Sequence, residues 1–373
     1  MAAASWGGDP GVVLMTLTIV FLAALLLLSS VASIFQWPHG FFRALEFPRV
    51  QVLIASLLTV VTVPVSAMDS ATALWVMAAL TAACAIQISY IIRFTPIWPK
   101  AAAMAQTTGK QRRVRILISN VKKSNRKYEL LIQTIKNERP DIVVMTEVDK
   151  DWRDALQPAA ECYPHRMECP MENSFGLMLF SSHPLSSSSI RYLVSDEVPS
   201  FDTLVHPDAE TVFRLVAVHP EPPIVTSDST LRDAELSKVA LLLSEEEQPV
   251  IVTGDLNDVA WSKLTRRFLR ISGLVDPREG RGLYSTFHAD HIVLRWPLDH
   301  LFHSRHFRIA RITRLASIGS DHFPIVFELA VDPAKRKGQP SADPDSGDIE
   351  EAKKTIRAGE ESDRRPIGHD WEK

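Results

Sequence analysis

The sequence predicts an α+β protein, a body of mixed β-sheet with helices packed outside it, preceded by three membrane-crossing helices. Two observations lead there. Three uncharged apolar runs crowd the first quarter of the chain, and from Val114 onward the hydrophobic period changes to short alternating or β-branched runs interleaved with amphipathic stretches. With 373 residues, 46% of them apolar and 23% charged, the chain has ample material for a core, which excludes wholesale disorder. A mean hydropathy of +0.02 is high for a chain with 41 basic and 44 acidic side chains, and the amino-terminal quarter accounts for it.

The apolar runs cover residues 11–35, 50–68 and 70–92. Each approaches or exceeds the roughly 20 residues that a helix needs to cross about 30 Å of hydrocarbon. No Lys or Arg precedes the first run, and it is longer than the apolar core of a cleaved signal, so it is expected to be retained. Gln87 is nearly the only strongly polar side chain inside the spans, and none carries Asp, Glu, Lys or Arg, which weighs against a transporter. Arg43 and Arg49 lie between the first two spans, and Arg93, Lys100, Lys110, Arg112 and Arg113 follow the third. By the positive-inside rule the amino terminus is outside and the body cytoplasmic, as in a multi-pass protein of bacterial inner-membrane type.

The expected organisation is an anchor over 1–93, a Pro-containing linker over 94–113, a catalytic body over 114–331 and a polar tail over 332–373. Within the body, 114–119 alternates like a strand, and Tyr128, Leu131, Ile132 and Ile135 recur at helical spacing. Further strands are expected at 141–146, 175–181, 211–219, 249–253, 298–303, 307–313 and 324–329, and a second amphipathic helix at 231–243. The tail is rich in Lys, Asp, Glu, Ser, Gly and Pro and is expected to be disordered.

A net charge of -3 carries no broad basic field for wrapping nucleic acid, and residues 110–330 hold 28 basic against 30 acidic side chains. An anionic partner would be gripped locally, by a metal or a few side chains. Cys84, Cys162 and Cys169 match no zinc spacing and are too few for a disulfide scaffold. Free thiols are the first expectation, with a Cys162–Cys169 bridge as the alternative in an oxidising compartment.

There is no Gly-rich phosphate loop and no G-x-S-x-G elbow. Instead, polar groups recur where apolar strands end: Asn120, Glu147, Asp255 and Asn257 in Gly254-Asp255-Leu256-Asn257, Asp299 with His300, and Asp321 with His322. One such residue is an ordinary turn residue. Five strand ends offering hard oxygen or imidazole groups suit a rim that holds a divalent cation and a phosphate.

These residues, with Thr146-Glu147-Val148-Asp149, the strand and turn from Gly176 to Pro184, His219 and Ser320-Asp321-His322-Phe323-Pro324, resemble the endonuclease/exonuclease/phosphatase superfamily of DNase I-like metal-dependent phosphoesterases. The resemblance covers about 114–329 and implies a four-layer α/β/β/α sandwich, two mixed sheets flanked by helices. It implies Mg²⁺, with Mn²⁺ as substitute, held principally by Glu147, with Asn120 helping and Asp321 reaching the metal directly or through water. It further implies Asp255 as the carboxylate that orients or deprotonates water and Asn257 as a donor to the phosphate. His322 would sit beside the scissile phosphate, oriented by Asp299, with His219 as a second phosphate-facing imidazole. Branches that cut abasic DNA place a tyrosine in the strand that here ends at His219, so the chain looks closer to the nuclease-I and sphingomyelinase-like branches.

The expected activity is hydrolysis of a phosphate ester by in-line water attack at a bilayer, with a phospholipid head group among the candidate substrates. A DNA or RNA nuclease and a catalytically silent membrane scaffold are the alternatives. His300, His303 and His306 mimic a metal cluster, but their spacing of three fits no single strand face, so structural roles are expected. His288 and His291 are expected in a solvated loop, and Trp296 in packing as readily as in substrate contact.

Overall fold

The computed structural model describes residues 10–106 apart from 36, 38 and 67, residues 112–331, and residues 344–368 apart from 345. The anchor comprises α1 (Pro10–Ala32), the short α2 (Gly40–Ala44), α3 (Arg49–Thr62) and α4 (Ser70–Ile91). Helices α1, α3 and α4 pack around Ile19, Ala23, Val63, Val76 and Leu80, while Leu14, Leu17, Phe21, Leu25, Leu57, Leu58, Val61, Leu74 and Trp75 remain exposed outside the bundle. Among the described residues, α1 and α4 are long and apolar enough to cross a membrane by length and composition.

The second expected span falls short. Helix α3 has 14 residues, about 21 Å at 1.5 Å each, and gives way to a single 3-10 turn at Val63–Val65 where Pro64 cannot continue the helical ladder. Gln87 is buried and serves the bundle itself. Its amide donates to Ser30 Oγ at 2.8 Å and accepts from Arg49 Nη1 at 3.1 Å, while the Arg49 guanidinium lies 3.6 Å from the Tyr90 ring centroid.

The body is a four-layer sandwich. Its elements are β1 (Arg112–Asn120), α5 (Tyr128–Glu138), β2 (Ile142–Thr146), α6 (Lys150–Ala155), α7 (Gln157–Ala160), β3 (His165–Cys169), β4 (Leu177–Ser181), β5 (Leu185–Tyr192), β6 (Pro199–Val205) and β7 (Phe213–Ala217). Then come α8 (Thr230–Leu242), β8 (Val250–Asp255), α9 (Lys263–Ser272), β9 (Asp299–His303), β10 (Phe307–Arg314) and β11 (Ile325–Val331). One sheet runs β10-β11-β1-β2-β4-β3, the other β5-β6-β7-β8-β9. Their facing sides share a core that includes Ile116, Ile118, Val144, Leu215, Ile251 and Phe327. The outer face of the first sheet is covered by α5, α6 and α7 through Leu131, Ile135, Trp152 and Leu156, and that of the second by α8 and α9 through Leu236, Val239, Leu264 and Phe268.

Each sheet has one parallel pair, β1 with β2 and β7 with β8. A parallel pair needs a crossover, supplied here by α5 and α8. Helix α5 ends where Arg139 takes a left-handed φ of 46° and Pro140 follows, and α9 begins with Ser262 Oγ accepting from Thr265 N at 2.9 Å. The two crossover units direct the carboxyl ends of four central strands to one rim, the place where ligands gather in parallel α/β units.

Strands β3, β5 and β6 and helices α6, α7 and α9 were not among the expected elements. Nor was α10 (Ser346–Glu360), which corrects the expectation of a disordered tail over 346–360. Ala352 is fully buried in the outer core, Arg270 makes a bidentate pair with Asp348 at 2.6 Å, and beyond the helix Arg364 pairs with the buried Glu221. A polar segment needs little apolar area of its own when it covers a core supplied by α8 and α9. Residues 332–343, 345 and 369–373 of the expected tail lie outside the described residues. In the expected linker, Ala105 N donates to Ile309 O at 2.8 Å and Ile309 N to Ala103 O at 2.8 Å, so part of it lies along β10.

The anchor also packs on the body. Tyr90, Phe94, Val259, Ala260, Trp261 and Leu298 form one buried cluster, with Phe47, Val50 and Trp296 at its edge. Arg43 pairs with the buried Asp233 of α8, and Trp261 Nε1 donates to Glu46 O at 2.7 Å. All three cysteines are free thiols.

Candidate active site

The rim carries every residue expected to do chemistry. Asn120 closes β1, Glu147 follows β2, His219 follows β7 and Asp255 closes β8. Strands β9 and β11 run antiparallel to their neighbours, so the start of β9 brings Asp299 to the same rim, and the segment before β11 brings Asp321 and His322.

Asn120 joins the two sheets. Its Nδ2 donates to Glu147 Oε1 at 2.8 Å and to Asp255 Oδ2 at 3.0 Å, and its Oδ1 accepts from Lys122 N at 2.9 Å. Asp255 Oδ1 accepts from Asn257 N at 2.9 Å, while Asn257 Nδ2 donates to Pro220 O at 3.0 Å. Three non-glycine residues here have left-handed backbones, Lys122 (φ 55°), Glu147 (φ 61°) and Asn257 (φ 51°), the kind of local strain that concentrates at functional sites. Gly254 is needed where it stands. At φ +136° a Cβ would lie 2.0 Å from Val218 O, so only glycine lets β8 approach β7 this closely just before Asp255.

His322 lies between two carboxylates. Its Nδ1 donates to Asp299 Oδ2 at 2.8 Å, and its Nε2 is 3.5 Å from Asp255 Oδ2. Burial would lower its pKa, but the charges of Asp299 and Asp255 outweigh that and hold it at about 10. His219 is as buried, with Nε2 3.9 Å from Asp255 Oδ2 and Nδ1 without a hydrogen-bond partner among the described residues, and burial pushes it down to about 4. The site therefore holds one imidazolium and one neutral imidazole at neutral pH. Burial, reinforced by the Asp321 and Asp255 charges, pushes the Glu147 carboxyl up to about 7 against the pull of the Asn120 amide, and burial also raises Asp255.

Glu147, Asp255 and Asp299 converge with no Lys or Arg ion pair to any of them among the described residues, and Asp299 Oδ1 is buried without a partner. Ligand atoms of Asp255, Asp299 and His322 lie within 4.8 Å of one another. Hard oxygen donors with excess negative charge are what a divalent cation takes. Asp321 is less free than expected, because Lys122 Nζ pairs with its Oδ2 at 3.1 Å.

His300, His303 and His306 are engaged in structural hydrogen bonds. They are buried and bonded to Arg278 and Asp258, to Ser304 O, and to Ser304 Oγ respectively. Trp296 packs between Phe287 and Phe47, at centroid distances of 6.0 and 5.7 Å.

Sequence reasoning missed four contributors. Lys122 holds Asp321, Lys123 N reaches Glu147 Oε2 at 3.3 Å, Thr286 Oγ1 accepts from Asp299 N at 3.2 Å, and Phe287 packs 4.9 Å from the His322 ring. The basic pair two residues after Asn120 was a readable signal for the lysines. Nothing in the spacing of Thr286 or Phe287 announces them.

Among solved structures, the chain is similar to humanized D. rerio TDP2 carrying 14 mutations, at 16% identity and a TM-score of 0.49, covering 59% of this chain and 99% of that one. It is similar to the human Nocturnin catalytic domain at 18% identity and a TM-score of 0.49, covering 60% and 96%. An endonuclease/exonuclease/phosphatase from Bacteroides vulgatus gives 19% identity and a TM-score of 0.47, covering 59% and 100%. No curated protein matches the chain. The model of the endonuclease/exonuclease/phosphatase family matches residues 117–322, a stretch that runs from the middle of β1 to His322 and contains every rim residue described above. The chain belongs to the endonuclease/exonuclease/phosphatase family.

Proposed function

We propose that the protein is a membrane-anchored, divalent-metal-dependent phosphoester hydrolase, with Mg²⁺ as the resident ion and Mn²⁺ as substitute. The observation that carries the reading is the single polar cluster in which Asn120 bridges Glu147 and Asp255 while His322 bridges Asp255 and Asp299. Glu147 and Asn120 would hold the cation, with Asp321 as the acidic neighbour that Lys122 keeps in place. A bound divalent cation supplies charge neutralisation on the phosphate oxygens and lowers the pKa of the attacking water.

The side chains divide the remaining work. Asp255, held by Asn120 and by Asn257 N, is the carboxylate placed to orient water and take its proton. His322, kept cationic by its two carboxylate neighbours, suits a clamp and proton donor rather than a base. Asp299 fixes its ring orientation by accepting from Nδ1–H and leaves Nε2–H for the phosphate or leaving group. The neutral His219, with a ring nitrogen free, and the second amide N–H of Asn257 are further donors toward phosphate oxygens.

The exposed apolar exterior of the bundle, on α1, α3 and α4 alike, supports the anchored reading, with the body on the cytoplasmic side as the flanking cations suggest. The test uses the full chain in detergent micelles with bis-p-nitrophenyl phosphate. Hydrolysis that requires Mg²⁺ or Mn²⁺ and stops with chelator supports the reading, and equal rates with and without chelator would sink the metal mechanism.

A further inference from the structure

The anchor and the catalytic histidine are joined by packed rings. Phe47, between α2 and α3, meets Trp296 edge to face at 5.7 Å; Trp296 stacks on Phe287 at 6.0 Å; and Phe287 lies 4.9 Å from His322. Phe287 and Trp296 are the two ends of a hairpin loop. His288 N donates to Leu294 O at 3.1 Å, closing the loop, and Ala289 N donates to Asp321 O at 2.6 Å, tying it to the active-site rim. The far side of the loop touches the first turn of α3, where Gln51 Nε2 donates to Val293 O at 2.6 Å.

Between these ties the chain exposes three consecutive apolar side chains, Ile292 at 85%, Val293 at 70% and Leu294 at 45%. Three adjacent apolar residues this open are costly in water. At the same end of the bundle, Phe35, Trp37 and Phe41 are also exposed, and aromatic side chains at the end of an apolar bundle are the usual mark of a lipid interface. The base of the loop is cationic. Arg295 and Arg314 lie 5.1 and 4.5 Å from the centroid of the Phe323 ring, and Lys122, paired with Asp321, stands at the rim, while Asp290 is an exposed acid of the loop. An apolar tip over a cationic base matches the layering of a bilayer surface, acyl chains beyond phosphate.

We propose that loop 289–295 enters the lipid surface beside α3, so that the catalytic mouth opens on the bilayer and the substrate is a lipid-borne phosphoester. The inference rests on the phosphoesterase reading for its chemistry but not for its geometry. The loop's position is set by Gln51 and Trp296, and the mouth's by Phe287 and Asp321. A phosphoester on a lipid would reach His322 along the loop without leaving the interface.

Two measurements on the full chain in phosphatidylcholine vesicles containing phosphatidylglycerol test it. In a chain with Cys162→Ser and Cys169→Ala, bimane attached at Ile292→Cys is expected to be quenched by lipids spin-labelled on the acyl chain, whereas bimane at Leu130→Cys on α5 is not. Equal, weak quenching at both positions overturns the proposal. In the second, Ile292→Asp with Val293→Asp is expected to lower the ratio of p-nitrophenyl phosphatidyl ester hydrolysis to bis-p-nitrophenyl phosphate hydrolysis by about tenfold, because the loop no longer enters the lipid. An unchanged ratio, or a wild-type chain that cuts a single-stranded oligonucleotide faster than the lipid ester, overturns it. A wild type inactive on bis-p-nitrophenyl phosphate defeats the phosphoesterase reading instead, and leaves the quenching result to judge the loop.

Discussion

Asp255 and Asp299 stand directly opposite each other in the antiparallel pairing of β8 with β9, and the His322 ring spans them, 2.8 Å from one carboxylate and 3.5 Å from the other. Strand register alone sets the first relationship, and the segment before β11 delivers the imidazole. Because two buried charges outweigh desolvation, His322 keeps its proton to about pH 10. Asp299→Asn removes one of those charges, so the His322 pKa falls and the alkaline limb of kcat/KM moves to lower pH, with a loss of about 10- to 10²-fold in rate. A pH–rate profile checks this, and an alkaline limb that stays in place contradicts it.

Glu147 has to give up its proton before it can hold a cation, and burial has pushed its carboxyl up to about 7. Mg²⁺ affinity is therefore expected to fall as pH drops through 7, by up to about tenfold per unit, with proton release on binding. The sign for stability follows. The folded carboxyl holds its proton more tightly than an ordinary one at 4.5, so this group costs stability as pH rises from 4.5 to about 7. Mg²⁺ should offset that cost, giving a larger rise in melting temperature at about pH 8 than at about pH 6, and Glu147→Gln should remove the difference. Thermal scans with and without Mg²⁺ at both pH values decide it.

Arg43 of α2 is 7% exposed and pairs with Asp233, itself buried on α8. Arg43→Ala would leave part of the Asp233 charge uncompensated, although Arg232 and Ser229 still bond it. The expected loss is about 3 kcal/mol, the low end for breaking a buried pair. Denaturant unfolding of the detergent-solubilised chain measures it, and a change below about 0.5 kcal/mol would place the anchor and body in looser contact.

Removal of residues 332–373 is expected to destabilise the body. Glu221 is 1% exposed, and its charge is met by Arg364 at 2.7 Å and by Ile367 N at 2.9 Å. Arg364→Ala should cost about 2 kcal/mol. Tryptophan-monitored unfolding of the truncated and substituted chains checks both, and wild-type stability in either would mean that the carboxyl-terminal segment is an ornament.

Much of this architecture was legible because its central strands are apolar on both faces, and Val143 and Val252 sit in unbroken hydrophobic runs. Strand β5 was not, because Leu185–Tyr192 contains four consecutive serines and lies at the edge of its sheet, where pairing with β6 does not require apolar faces. Strand β6 hides behind Pro199 and the polar Ser200, Asp202 and Thr203, which are buried, Asp202 against Arg214 and Ser200 against Glu235. Helix α9 was readable, since Leu264, Phe268 and Ile271 share one face, but three arginines and a lysine obscure it. Polar residues at strand ends marked the rim. Thr286 and Phe287 could not be found that way, because they reach Asp299 and His322 from loops whose course depends on the anchor packing beneath them.

The central claim is that Asp255 and His322 act as one unit on one phosphate, and a double-mutant cycle tests it most directly. Rates of bis-p-nitrophenyl phosphate hydrolysis are compared for Asp255→Asn, His322→Ala and the double variant. Each single change is predicted to cost about 10²-fold or more, and the double no more than about tenfold beyond the worse single, since groups that share one step cannot each be lost in full twice. Losses that multiply would show two independent sites and contradict the account.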